Sequence, residues 1–167
     1  MNMEENYIYK EYDLYLTKLE SKNKNYIVKR IISQIIWYDD NANLKQKYYK
    51  TLSVISIIIT SCIPILTIFT GYKYGIIASL IIAILSSTST ILLSVSNLCE
   101  FQKLWIQYRS SCEILKSILH RYFTSTLEFS SLSEEDNFNL LCSMCEEHMS
   151  KEYQTWSKIP CNNEQEK

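Results

Sequence analysis

Glycine and proline are nearly missing from this 167-residue chain, which holds only Gly71, Gly75, Pro64 and Pro160. From Ile76 to Ile159 there is neither, so the punctuation of a loop-rich or sheet fold is absent and long helices are expected. Charge is absent from two long runs. Thr51 to Tyr72 holds 22 residues without a charged side chain and Tyr74 to Cys99 another 26, with Lys73 alone between them. Neither run contains Asp, Glu, Lys, Arg or His, which argues against proton relays, voltage sensors and coupled transporters. A basic excess is missing too. The formal net charge of −1 gives no electrostatic footprint for nucleic acid. The opening MNMEENYIYKEYDLY has no basic start and no early apolar run, so no secretory signal is expected.

What is present is segregated, an apolar block between two charged ones. At 1.5 Å per residue the two runs extend about 33 Å and about 39 Å as helices. Each is long enough for a hydrocarbon core of about 30 Å. Buried helices of a soluble bundle normally keep a charged face, and these have none. The expected fold is an all-α membrane protein, a two-span transmembrane helical hairpin whose long helices extend into a cytoplasmic helical bundle. GYKYG, residues 71–75, must then reverse the chain, with Gly71 suited to a left-handed helix end and Gly75 loosening the next start. Tyr72 and Tyr74 at one face, and Tyr48 and Tyr49 at the other, suit interfacial aromatic belts. Lys45, Lys47 and Lys50 flank the first span, and Lys103, Arg109 and Lys116 follow the second. Positive residues stay inside, so both termini are expected in the cytoplasm.

The segments divide as a polar, amphipathic stretch (1–26), a cytoplasmic helix (27–50), the first span (51–71) and an external turn (72–74). The second span (75–99) and its cytoplasmic continuation (100–123) follow, reading as one helix from Gly75 to about Phe123. A carboxy-terminal helix (133–159), capped by Ser133, precedes a disordered tail (160–167). Helical stripes in the charged parts run through Ile27, Ile31, Ile35, Tyr38 and Ala42, through Phe101, Leu104, Tyr108, Cys112, Leu115, Leu119 and Tyr122, and through Phe138, Leu141, Cys145, Met149 and Trp156. A short helix near residues 7–20, with Ile8, Tyr12, Tyr15 and Leu19, is expected as well, and the sequence leaves its role open.

Within the first span Ser53, Ser56, Thr60, Pro64, Thr67 and Gly71 recur at steps of three and four. In the second, Ser79, Ala83, Ser86, Thr90, Ser94 and Asn97 do the same. Each set falls on one helix face. Small residues allow close helix packing; a hydroxyl-lined path through an oligomer is the other reading, and a hairpin has flanks for both. Pro64 frees a backbone carbonyl and is a candidate hinge. One hairpin cannot enclose a channel, so a conducting state requires a homo-oligomer. If both helices run straight from the turn, positions whose numbers sum to about 148 lie side by side. Asp39 then meets Arg109, with Asp40 the alternative partner, and Lys47 lies near Phe101.

Six cysteines are scattered without a framework spacing, so free thiols are expected over disulfides. Cys142, Cys145 and His148 stand at steps of three, part of a zinc-like pattern. A fourth ligand would have to come from Cys112, His120 or Cys161, and helical core patterning explains the spacing without metal. No phosphate loop, nucleophile elbow or paired-carboxylate pattern is present. Neither an enzyme nor a cofactor is expected.

Three patches together resemble the SLATT family, two-span membrane domains of bacterial nucleotide-dependent defence systems. WYDDNANLKQKYYKTL carries Trp37, Tyr38, Asp39 and Lys45 before the span with Pro64. LWIQYRSSCEILK carries Trp105, Tyr108, Arg109 and Glu113 after the second span, and EEHMSKEYQTW carries Glu147, His148 and Trp156. The match covers roughly residues 27–156. The resemblance implies a pore-forming or membrane-disrupting effector of antiviral defence in the bacterial inner membrane, with these residues coupling cytoplasmic helices to the spans. It also implies a trigger, a nucleotide signal or a sensor partner. No fused nucleotide-binding or nucleotidyltransferase domain is expected within these 167 residues, so sensing is expected from a partner or from the cytoplasmic helices. A non-conducting scaffold that recruits a partner, or a holin, are the other readings.

Overall fold

The computed structural model describes residues 7–17, 19–71, 75–130 and 133–156, without the side chains of Tyr153, Thr155 and Trp156. The expected turn at 72–74 with Tyr72, Lys73 and Tyr74, the tail at 160–167, Cys161 and Pro160 lie outside these residues. The described residues are helical, with no strand among them. They comprise α1 (Tyr7–Leu16), α2 (Ser21–Tyr26), a π-helical segment (Ile27–Ile32), α3 (Ser33–Thr67), a 3-10 turn (Ile68–Gly71), α4 (Gly75–Leu98), α5 (Phe101–Thr124), a second 3-10 turn (Leu127–Phe129) and α6 (Glu134–Trp156). They divide into two compact units, one from 7–42 and 106–156, the other from 43–105.

The first unit is a helical bundle built from the expected stripes. Ile27, Ile31 and Ile35 from the chain entering α3, Leu115 and Leu119 from α5, and Leu141 and Cys145 from α6 are fully buried. The amino-terminal helix, whose role the sequence left open, belongs to this core. Ile8, Tyr12 and Leu16 of α1 are buried, and Tyr15 stacks on Phe123 with ring centroids 5.0 Å apart. Ser133 starts α6 as expected: its hydroxyl oxygen accepts the Asp136 N–H at 3.2 Å and the hydroxyl donates to the Asp136 carboxylate at 2.7 Å. That satisfies one of the orphan donors of the first turn.

In the second unit the later part of α3 packs antiparallel on α4. Its most apolar stretches are long enough to cross a membrane, and only 6% and 11% of the respective 18-residue windows is buried. The second helix is not continuous. Cys99 and Glu100 form a turn between α4 and α5, with Glu100 at φ 46°. The Glu100 N–H donates to the Asn97 carbonyl at 3.1 Å, and its own carbonyl accepts the Leu104 N–H at 2.9 Å, opening the next helix. A left-handed non-glycine residue costs on the order of 1–3 kcal/mol. Lys103, 3.0 Å from the Glu100 carboxylate, ties down that first turn. Lack of glycine and proline therefore did not guarantee an unbroken rod.

The glycines also act differently from the expectation. Neither has a positive φ. The 3-10 turn ends the helix, with Thr67 donating to the Pro64 carbonyl at 2.6 Å and Thr70 to that of Thr67 at 2.7 Å. Gly75 is needed for close approach, since a Cβ there would collide with the Thr70 carbonyl.

Candidate functional site

In the bundle unit, helical spacing brings Asp39 of α3 opposite Arg109 of α5. The carboxylate is 4% exposed and accepts from the Arg109 guanidinium at 2.6 Å. The same guanidinium reaches Glu113 at 3.0 Å, one turn along α5. Sequence reasoning missed the third partner: the Tyr7 hydroxyl donates to the other Asp39 oxygen at 2.7 Å. Burial first, then that bond to a carboxylate, raises the Tyr7 phenol well above its ordinary range. Lys116 lies 5.7 Å from the Tyr7 ring centre. Three helices thus meet on one buried charge. The levels of α3 and α5 could be counted from the turn, but nothing in the sequence anchored α1 to either.

Aromatic rings flank this node. Trp37 meets Tyr108 edge-on at 5.6 Å, and Tyr38, 1% exposed, lies 6.3 Å from Tyr108. Burial raises the Tyr38 phenol to about 12. Cys112, buried beside the node, donates weakly to the Ile35 carbonyl at 3.8 Å, and burial lifts its thiol to about 11. The five described cysteines are free.

A second cross-helix link was also unforeseen. Arg30, on the π-helical segment, forks onto Glu146 of α6 with two bonds of 2.8 Å, and the Tyr26 hydroxyl adds a third at 2.9 Å. The hydrogen bonds from Arg30 hold the Glu146 carboxyl below its usual range. Expected Glu147 faces outward instead and pairs with Lys151 on its own helix at 2.6 Å. His148 is partly buried; its Nε2 is buried without a partner among the described residues, and burial lowers its pKa. Unfolding restores an ordinary imidazole, so the unfolded state takes up the proton first and stability falls as pH drops below 6.5. His148→Gln should flatten that part of a pH–stability curve; an unchanged slope between neutral and mildly acid pH would contradict it.

In the hairpin unit three hydroxyls form a knot. Ser56 and Ser89, 2% and 6% exposed, are 2.8 Å apart. Thr60 lies 2.9 Å from Ser89 and donates to the Ser56 carbonyl at 2.8 Å. Ser56 and Thr60 come from the predicted stripe; Ser89 does not. On α4 the packing face instead runs through Ala78, Ser89 and Ser96. Ser79, Ala83, Thr90, Ser94 and Asn97 are exposed and Ser86 is half-buried; on α3 Ser53 is half-buried while Pro64 and Thr67 are exposed. The two spacings differ by one helical step, and the alanine and serines on both faces made them indistinguishable by composition. At the far end of this unit Lys45, rather than Lys47, lies over the Phe101 ring at 5.9 Å, and Trp105 has a buried indole N–H without a partner among the described residues.

Among the described residues no three His, Cys, Asp or Glu side chains converge as a metal site would require. The side chain of Trp156 lies outside the description. Comparison with known proteins gives no curated protein and no solved structure that matches. One family model, described as protein of unknown function (DUF4231), matches residues 33–137. That segment takes in the Asp39–Arg109 pair, the hydroxyl knot and both long apolar helices, and covers more than half of the chain, which therefore belongs to the DUF4231 family.

Proposed function

We infer that the chain is a membrane-embedded effector that assembles into an oligomeric pore or otherwise breaches the bilayer, triggered through its helical bundle. The observation that carries the membrane reading is the exposure of the apolar helices. Their side chains are left uncovered, with Ile57, Ile65, Ile76, Leu80 and Ile91 each at 60% exposure or more. A soluble protein rarely exposes so large a contiguous apolar surface, whereas lipid is its natural solvent. The excess of lysine and arginine on the sequences flanking both helices supports an orientation with both termini cytoplasmic. The resemblance to SLATT domains supports a bacterial inner-membrane location, a role in antiviral defence and a nucleotide-sensing or nucleotidyltransferase partner. No enzymatic step and no cofactor are part of this reading.

The outward α4 face of Ser79, Ser86, Thr90, Ser94 and Asn97 is the candidate path in the oligomer, since the Ser56–Thr60–Ser89 knot is used within the hairpin. A specific observation favours a second reading, a non-conducting anchor for a partner-recruiting bundle. Ser79 donates to the Gly75 carbonyl at 2.9 Å and Thr90 to that of Ser86 at 3.0 Å. Hydroxyls satisfied within their own helix face lipid without needing water.

Dye leakage from liposomes carrying the full chain, with and without cyclic nucleotides and candidate sensor proteins, separates the two. The pore reading expects triggered leakage that is lost in the Ser86→Leu/Thr90→Leu variant. Silent vesicles holding intact, inserted oligomers under every trigger would favour the anchor.

A further inference from the structure

At one end of the hairpin unit, lysines and aromatic rings form a collar where one charge-free run begins and the other ends. Lys45 lies over the Phe101 ring at 5.9 Å, and Tyr48, half exposed, is 5.9 Å from the same ring. These contacts put the start of α5 and the approach to the first apolar run at one level. Lys45, Lys47 and Lys50 then fall within about 8 Å along the α3 axis. Lys103 follows Phe101 by two residues, and its ammonium is 3.0 Å from Glu100. Glu100 is the single acidic residue between 43 and 105, so it neutralises one lysine and leaves three uncompensated. Lys47 and Lys50 are exposed. Thr51, next in sequence, opens the uncharged run.

We propose that this collar binds the headgroup phosphates of anionic phospholipids. The inference rests on the membrane reading above and adds lipid selectivity to it. Charge complementarity argues for the occupant: three free ammonium groups beside exposed apolar helices match a layer of negative phosphates lying directly over acyl chains. Tyr48 and Phe101 present amphipathic and apolar edges at the depth where interfacial aromatics rest. Lys45 holds its ammonium over the Phe101 ring, while Lys47 and Lys50 are exposed. A neutral zwitterionic headgroup offers the same phosphate, with its charge offset by choline.

The test titrates the detergent-solubilised full chain with short-chain phosphatidylglycerol and with short-chain phosphatidylcholine, read by tryptophan fluorescence at low and high salt. Each lysine near an anionic surface contributes about fivefold in affinity, so Lys47→Gln/Lys50→Gln should weaken phosphatidylglycerol binding about thirtyfold. Binding to phosphatidylcholine should stay the same, and an unchanged helical melting curve shows that the variant is folded. Raised salt should erode the preference. Equal affinity for the two lipids, or an unaltered variant, overturns the proposal. So does displacement of phosphatidylglycerol by equimolar inorganic phosphate, which would make the site one for a free anion. Flotation of the wild type with phosphatidylcholine vesicles and resistance to alkaline extraction test the membrane reading separately. A chain that fails to float removes both ideas, whereas one that floats without lipid preference removes only this one.

Discussion

Arg109→Ala should destabilise the bundle unit by about 3 kcal/mol, at the lower end of what breaking a buried ion pair costs. The loss comes less from the pair itself than from leaving Asp39, 4% exposed in the wild type, with one fewer donor. Two features keep the figure from being larger. Tyr7 still donates to the carboxylate, and the Arg109 side chain is 47% exposed, so part of its attraction is already shared with water. Asp39→Asn keeps an acceptor for Tyr7 and releases Arg109 to Glu113 and solvent; it should cost nearer about 1 kcal/mol. Removing both charges, Asp39→Leu/Arg109→Leu, should be milder than Arg109→Ala alone. Denaturation of the detergent-purified protein followed by circular dichroism measures all three. A stability for Arg109→Ala within error of the wild type would end the argument. If the node also couples bundle to spans, this variant should insert normally and yet fail to respond to a trigger in the leakage assay.

The second large effect is expected at Ser89. Leucine there must fit where a hydroxyl now sits 2.8 Å from Ser56 and 2.9 Å from Thr60. Overpacking costs about 1–3 kcal/mol, and loss of a partner for the buried Ser56 hydroxyl adds roughly 1 kcal/mol. Ser89→Leu should therefore lower hairpin stability by about 3 kcal/mol, combining those two costs. Thr90→Leu, one residue on, replaces an exposed side chain and should be nearly silent in folding. Thermal melting in detergent compares them; similar midpoints for the two variants would mean the knot contributes little.

These two sites mark where the sequence was legible and where it stopped. Helical stripes predicted the bundle core through Ile31, Ile35, Leu115 and Leu119 because burial repeats with the helical period. The pairing of Asp39 with Arg109 could be counted because so few residues separate the two charge-free runs that the expected reversal sets the level of one helix against the other. Stripes also ran through Ile8 and Tyr12 of α1 and through Leu141, Cys145 and Met149 of α6, all buried. Neither method docks those helices on the others, because the sequence does not set the level at which they arrive, so the bonds of Tyr7 and Glu146 stayed hidden. Small residues defeated the face assignment on α4, where Ser86, Ser87, Ser89, Thr90 and Ser94 are chemically alike and only packing tells them apart. The break at Glu100 left no composition signal, because the residue that adopts the left-handed conformation is not the one that favours it.

The π-helical segment Ile27–Ile32 has a consequence for how this chain tolerates change in length. A π turn is an α turn holding one residue too many. Deleting one residue there would let the ladder close as ordinary α-helix and would leave α3 untouched. Everything before it would keep nearly its present facing, since a π turn and an α turn each complete one circuit of the axis, whereas the same deletion inside α3 would swing it by roughly 100°. Tyr26, edge-on to Phe138 at 5.8 Å and bonded to Glu146, would still face α6. The surplus residue is therefore slack held in the helix, and a single-codon loss that would misalign the bundle elsewhere is absorbed at this point.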